Sequence, residues 1–159
     1  MPTEIRVDGW RSGIRFDAAH FIPGHPKCGR LHGHTYALHC VARGEPGDHG
    51  FVLDFGAVKD ALRALADRLD HKVLVPTRSA EFTVDEGKTE VVFVVQGKRY
   101  VLPRTDVELL PIPRSTAEDL AAYAASELLR GLHVPPNVRE IEVGVDETYG
   151  KGAWVRTTF

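Results

Sequence analysis

The stretch Cys28-Gly29-Arg30-Leu31-His32-Gly33-His34 carries a thiol and two imidazoles, and His20 adds a third imidazole a little upstream. Neutral imidazole is a good zinc ligand, and a catalytic zinc usually takes three protein ligands and keeps a fourth position open. His20, His32 and His34 meet that requirement. The Cys28 thiol is then left over beside an electropositive ion, where it can serve as acid, base or nucleophile. Lys27, Arg30 and a metal would each favour its thiolate. In the opposing arrangement Cys28 is a fourth ligand, which makes the site closed and structural. Iron and other divalent ions also accept imidazole, but a three-nitrogen set with no carboxylate favours zinc.

Other ionisable groups carry weaker signals. Asp70-His71 pairs a carboxylate with an imidazole that it can orient and hold charged, although a helix-end cap is the commoner use of such a pair. Glu147-Thr148 places a carboxylate at the end of a late strand, where it can accept two hydrogen bonds from a guanidine-like edge or simply be solvated. His39 points to the strand face opposite His32 and His34. His25, His49 and His133 sit in loop-like contexts and read as structural or surface residues. Cys40, in mid-strand, reads as a small buried apolar residue.

The elements that must position these groups follow from periodicity. Residues 4–20 alternate loosely and predict a strand, bent at Gly9 or Gly13. Residues 21–30 are rich in Pro and Gly and predict a loop. Residues 31–43 predict the second strand, so His32 and His34, two apart, leave the same face. His20 approaches from the end of the first strand. Val58, Ala61, Leu62, Leu65 and Leu69 trace one face of a helix behind Asp54, a plausible N-cap. Ser115-Thr116-Ala117-Glu118 fits a capping box and opens a second helix to about Arg130, with Leu120, Tyr123, Ala124 and Leu128 as its buried stripe. Strands at about 138–147 and 153–159 close the chain. Residues 81–103 alternate strand-like and turn-like segments and predict a small inserted β-meander. The fold expected is α+β: a four-stranded antiparallel sheet with two helices between strands two and three, plus the meander. Its open sheet edges would be covered by subunit pairing.

Composition bounds the rest. The chain has 159 residues, 43% apolar and 26% charged, with net charge −2. That suits one globular domain over residues 1–159 and gives no argument for nucleic acid or an anionic membrane as partner. No apolar run approaches the roughly 18 residues of a membrane span. The N-terminus lacks an export signal, so the two cysteines are expected as reduced thiols in a cytoplasm.

The pieces together resemble the 6-pyruvoyl-tetrahydropterin synthase family, and within it most closely the bacterial 6-carboxy-tetrahydropterin synthases of queuosine biosynthesis. The matching pieces are Phe16-Asp17-Ala18-Ala19-His20, Cys28 to His34, Val52-Leu53-Asp54-Phe55, Leu69-Asp70-His71, Ser115 to Glu118 and Glu147-Thr148, in the family's order. The resemblance implies a tunnelling fold assembled as a homohexamer of two trimers. It implies Zn²⁺ on His20, His32 and His34, Cys28 as catalytic thiol, and Asp70 with His71 as a proton-transfer pair, from the same or a neighbouring subunit. It implies a pterin anchored by Glu147 and held by Ser115 and Thr116. The implied reaction converts 7,8-dihydroneopterin triphosphate to 6-carboxy-5,6,7,8-tetrahydropterin, releasing acetaldehyde and triphosphate. The first rival is 6-pyruvoyl-tetrahydropterin synthase, which eliminates triphosphate from the same substrate. A rival of another class is a non-catalytic zinc-stabilised assembly module. Lys27, Arg30 and Lys72 are candidates for the triphosphate. The chain departs from the family in its longer meander and in Ile112-Pro113-Arg114 before Ser115. Gly29 stands in a region where a variant subgroup carries glutamate.

Overall fold

The computed structural model describes residues 1–159. Its centre is the long strand β3 (His32–Gly44), whose outer edges are used by three other strands. On one edge lies β9 (Val138–Thr148), followed by β10 (Lys151–Thr158), all antiparallel. The other edge of β3 is shared end to end by β1 (Thr3–Val7) and β2 (Arg15–His20). Residues 4–20 are therefore two strands rather than one bent strand. Asp8 caps a short helix, α1 (Gly9–Ser12), by accepting the Trp10 and Arg11 N–H groups, and Gly13 ends it with φ 67°. That left-handed conformation suits glycine.

The two long helices answer the sequence pattern. Asp54 accepts the Gly56 N–H and starts α2 (Phe55–Leu69), which buries Val58, Leu62, Leu65 and Leu69. Helix α3 (Ala117–Gly131) buries Leu120, Ala124 and Leu128, with Tyr123 partly covered. Both helices pack over the sheet face formed by Phe16, Tyr36, Leu38, Cys40, Ile141, Val143 and Val145, and this is the main core.

The sheet is larger than the four antiparallel strands expected. Strand β4 (Lys72–Pro76) runs parallel to β2, and β8 (Val107–Leu110) runs parallel to β4, giving seven strands in a mixed sheet. Both are short, and neither is bounded by a hairpin signal, so local pattern did not reveal them. The meander forms as expected: β5 (Val84–Glu86), β6 (Glu90–Val95) and β7 (Lys98–Pro103) make a separate antiparallel sheet. It packs through Phe82, Val91, Phe93 and Val95 onto Phe21, Val75 and Val107.

Candidate active site

Strand pairing brings the three histidines together. His20 lies directly opposite His32 across β2 and β3, and Ala18 lies opposite His34. Strand alternation turns all three imidazoles to the helix-covered face. Deeper along that face the same positions hold apolar side chains, with Phe16 stacked on Tyr36 at 4.9 Å. At its end, imidazoles replace them. The ring centroids of His20, His32 and His34 lie 4.6, 5.1 and 4.9 Å apart pairwise.

Each ring is oriented from behind. His20 Nδ1 lies 2.7 Å from the Ser115 carbonyl and His32 Nδ1 lies 2.6 Å from the Arg30 carbonyl. A carbonyl only accepts, so both Nδ1 atoms donate, and in the neutral ring the lone pair then falls on Nε2. His34 Nδ1 has a long contact, 3.4 Å, to Thr148 Oγ1. All three Nε2 atoms are buried without a hydrogen-bond partner. Burial shifts the His20 and His34 pKa values below the ordinary imidazole range, against the pull of Glu147, and the neighbouring imidazole of His32 adds to the fall. Neutral rings with orphaned, converging nitrogens fit a divalent metal, and the supporting carbonyls are the contacts that fix ligand tautomers in such sites.

The carboxylate of Glu147 joins this cluster. Its Oε1 lies 3.1 Å from His20 Nε2 and 2.9 Å from His34 Nε2, without hydrogen-bond geometry. His20, His32, His34 and Glu147 together could hold a metal ion. A carboxylate thus stands beside the three imidazoles, placed to serve either as a fourth donor or as a contact for a bound molecule. The signal was present: Ile141, Val143 and Val145 are core-facing on β9, and continuing that alternation turns Glu147 to the same face.

Cys28 opens onto the same space. A cavity of about 550 Å³ is lined by Cys28, His32, His34, Glu147 and Thr148, with Lys27, Arg30 and Lys151 adding positive charge. Cys28 is a half-buried free thiol outside the candidate ligand set. Its loop is closed by an Ile22 N–H to Cys28 carbonyl bond of 2.7 Å. His25 Nδ1 accepts the Cys28 and Lys27 N–H groups at 2.9 and 3.2 Å, a loop-shaping task that its surface-like context concealed. Cys40 is buried, and burial pushes its thiol up to about 12. His39 lies on the other face, buried beside Asp146 and accepting the Gly9 N–H.

Asp70 and His71 form a different cluster. Asp70 ends α2, accepts the Asp17 N–H at 2.8 Å and holds His71 Nδ1 at 2.8 Å. His71 adopts φ 57° and donates its own N–H to the Asp17 carbonyl. They sit with Asp17 and Thr35, which belong to the sheet face opposite the imidazoles. Lys72 also lies here, bonded to the Thr105 carbonyl, rather than at the Cys28 cavity. Ser115 is fully buried and donates its hydroxyl to the Phe21 carbonyl at 3.2 Å. The helix cap is Thr116, not Ser115: its Oγ1 accepts the Asp119 N–H. The cap therefore lies one residue later than the Ser115-to-Glu118 pattern predicts.

A mixed sheet with two helices over one face and an imidazole cluster at the end of that face defines a tunnelling-fold protein. The model for 6-pyruvoyl tetrahydropterin synthase matches residues 11–158, and the chain belongs to that family. A protein of Methanocaldococcus jannaschii, provisionally named 6-carboxy-5,6,7,8-tetrahydropterin synthase, is 39% identical over 156 residues, covering 96% of this chain and 95% of the relative. One of Pyrococcus abyssi with the same provisional name is 36% identical over 134 residues, covering 83% and 79%. The crystal structure of 6-pyruvoyl tetrahydropterin synthase from Plasmodium vivax superposes with TM-score 0.92 at 26% identity, covering 100% of this chain and 99% of that one. Variants of that Plasmodium protein are described as altered at a catalytic glutamate. In the present chain the loop from Phe21 to Leu31 holds Cys28 and no acidic residue.

Proposed function

We propose that the chain is a zinc-dependent lyase that converts 7,8-dihydroneopterin triphosphate to 6-carboxy-5,6,7,8-tetrahydropterin, releasing acetaldehyde and triphosphate. The observation that carries this is a free thiol sharing a cavity with His32 and His34, whose orphaned Nε2 atoms converge with that of His20 buried just beneath. The names of the similar archaeal proteins support the product.

His20, His32 and His34 would hold the ion, which when bound would supply Lewis acidity to oxygens of the substrate side chain. The protein's own groups then move protons. Cys28 takes a proton from the side chain and returns it. Asp70 fixes His71 through Nδ1, which leaves His71 Nε2 to exchange a proton with a substrate oxygen. Because that pair lies on the other sheet face, a neighbouring subunit supplies it. The edge strands β8 and β10 have free backbone groups for such an assembly, and the homohexamer implied by the family is the form we assign. Glu147 accepts from the N–H edge of the pterin. Thr116 and the backbone before it contact the ring, whereas the Ser115 hydroxyl is committed to Phe21. Lys27, Arg30 and Lys151 face the triphosphate.

The test is incubation of zinc-loaded protein with 7,8-dihydroneopterin triphosphate and identification of every product. Acetaldehyde with 6-carboxy-tetrahydropterin is expected, and a chelator should abolish both. Likeness to the Plasmodium structure favours a second reading, 6-pyruvoyl-tetrahydropterin formation. Triphosphate release without acetaldehyde would transfer the assignment there. Absence of any turnover, with metal bound, would overturn both and leave the non-catalytic module.

A further inference from the structure

The inserted meander lines no part of the Cys28 cavity, so it is not a wall or lid of that cavity. It touches the site from behind. Phe21, the first residue of the loop that carries Cys28, is fully buried in the meander's own core. Its ring stacks on Phe93 at 5.4 Å and on Tyr100 at 5.8 Å, with Phe82 at 5.6 Å. The backbone of the same residue accepts the Ser115 hydroxyl, and the Ser115 carbonyl holds His20. One aromatic anchor is thus tied both to the loop and to a candidate metal ligand.

The far end of the loop is held as well. The β6–β7 turn carries Gln96 at φ 50° and Gly97 at φ 73°, and its tip reaches Gly29, the neighbour of Cys28. A first side-chain carbon at position 29 would stand 3.3 Å from Gln96 Oε1 and 2.7 Å from the His25 carbonyl. The exposed Gln96 side chain thus lies beside Gly29, and a larger residue at position 29 would have to displace both it and the loop's own turn. Between the two anchors the loop is closed only by a few backbone and His25 contacts.

We infer that the β5–β7 sheet is a buttress for the Cys28 loop, and that Phe93 and Gln96 are positioning residues which hold the thiol toward the histidines. The inference rests on the proposed reading of Cys28 as the working thiol only for its effect on turnover; the effect on the thiol itself is separate.

The experiment compares Phe93→Ala and Gln96→Ala with the unchanged zinc-loaded protein and with Val94→Ala, whose side chain is exposed on the meander's other face. Two quantities are read: the rate of Cys28 alkylation by iodoacetamide, followed by peptide mass spectrometry, and kcat and KM for dihydroneopterin triphosphate. Buried Cys40 reports unfolding, because it stays unlabelled while the core is intact. Alkylation of Cys28 should change by about fivefold or more in Phe93→Ala and Gln96→Ala, the factor that one modest packing contact gives. The value of kcat should fall by a similar factor, with KM, metal content and Cys40 protection kept, while Val94→Ala matches the unchanged protein. If Phe93→Ala unfolds, Gln96→Ala alone decides. Unchanged Cys28 alkylation in Gln96→Ala overturns the buttress even if the enzyme turns over normally. Altered alkylation in a protein that never turns over leaves the buttress standing and removes the proposed reaction instead.

Discussion

His20 Nδ1 and the carbonyl oxygen of Ser115 lie 2.7 Å apart, across 95 residues of sequence. Ser115 immediately precedes the N-cap of α3, so the position of that helix sets the tautomer and the angle of an imidazole on β2. The contact makes the geometry of the imidazole cluster a property of the helix–sheet packing rather than of the His32-Gly33-His34 strand alone.

Removing a ligand should therefore differ sharply from disturbing its support. His20→Ala or His32→Ala should leave no stoichiometric zinc in a competition titration against a chelating dye. Ser115→Ala keeps the carbonyl that holds His20 but deprives the buried Phe21 carbonyl of its donor. It should cost about 1–3 kcal/mol of stability and lower zinc affinity by less than the roughly 10–100-fold that loss of an orienting contact brings. Equal zinc loss in Ser115→Ala and His20→Ala would contradict this separation.

Glu147 tests whether the carboxylate belongs to the metal or to the substrate. Under the proposed function Glu147→Gln keeps zinc at one per chain and loses pterin binding, because an amide presents one acceptor where the carboxylate presents two. Zinc content by elemental analysis and pterin binding by fluorescence quenching would show it. Loss of zinc in Glu147→Gln would instead make Glu147 an obligatory ligand and close the site.

Cys28 and His71, the ring that Asp70 holds, line different cavities of one chain. If a neighbouring subunit brings them together, Cys28→Ala and His71→Ala proteins should each be inactive alone. Unfolding and refolding the two as a mixture should restore part of the activity, because some composite sites then hold both groups. Lack of any recovery, with mixed oligomers demonstrated by mass spectrometry, would place the pair in a structural role.

The site was legible wherever function coincided with strand alternation. His32 and His34 share a face because they are two apart, and His20 meets them because β2 ends opposite the start of β3. Helix α2 was legible because Asp54 and a periodic apolar face agree. What escaped depended on partners distant in sequence. Nothing local marks Lys72–Pro76 or Val107–Leu110 as strands, since their pairing is parallel and is set by the sheet edge offered by β2. Ser115 and Thr116 are both capping residues by type, and burial of Ser115 beneath Phe21 leaves the cap to Thr116. His25 looked like a surface residue because its partners are backbone N–H groups, which no side-chain pattern displays.

Asp70 yields a prediction about acid. Partial burial works against its charge, but the Asp17 N–H and the His71 ring outweigh that, and its carboxyl titrates below the ordinary value of 3.8. A carboxyl whose folded pKa is depressed adds stability above its unfolded pKa and loses it as pH falls through the folded value. Asp70→Asn removes the titration. The urea midpoint of the unchanged protein should therefore exceed that of Asp70→Asn at about pH 5, and the difference should close as the pH falls below about 3.8 and through the folded value. Other carboxylates held low, such as Glu142 beside Arg43, make the whole protein acid-labile but cancel in the difference. A gap that persists unchanged at pH 3 would mean that the Asp70 contacts do not depend on its charge. The same ionisation keeps a carboxylate beside His71 through the neutral range, which the proton-transfer role proposed for the pair requires.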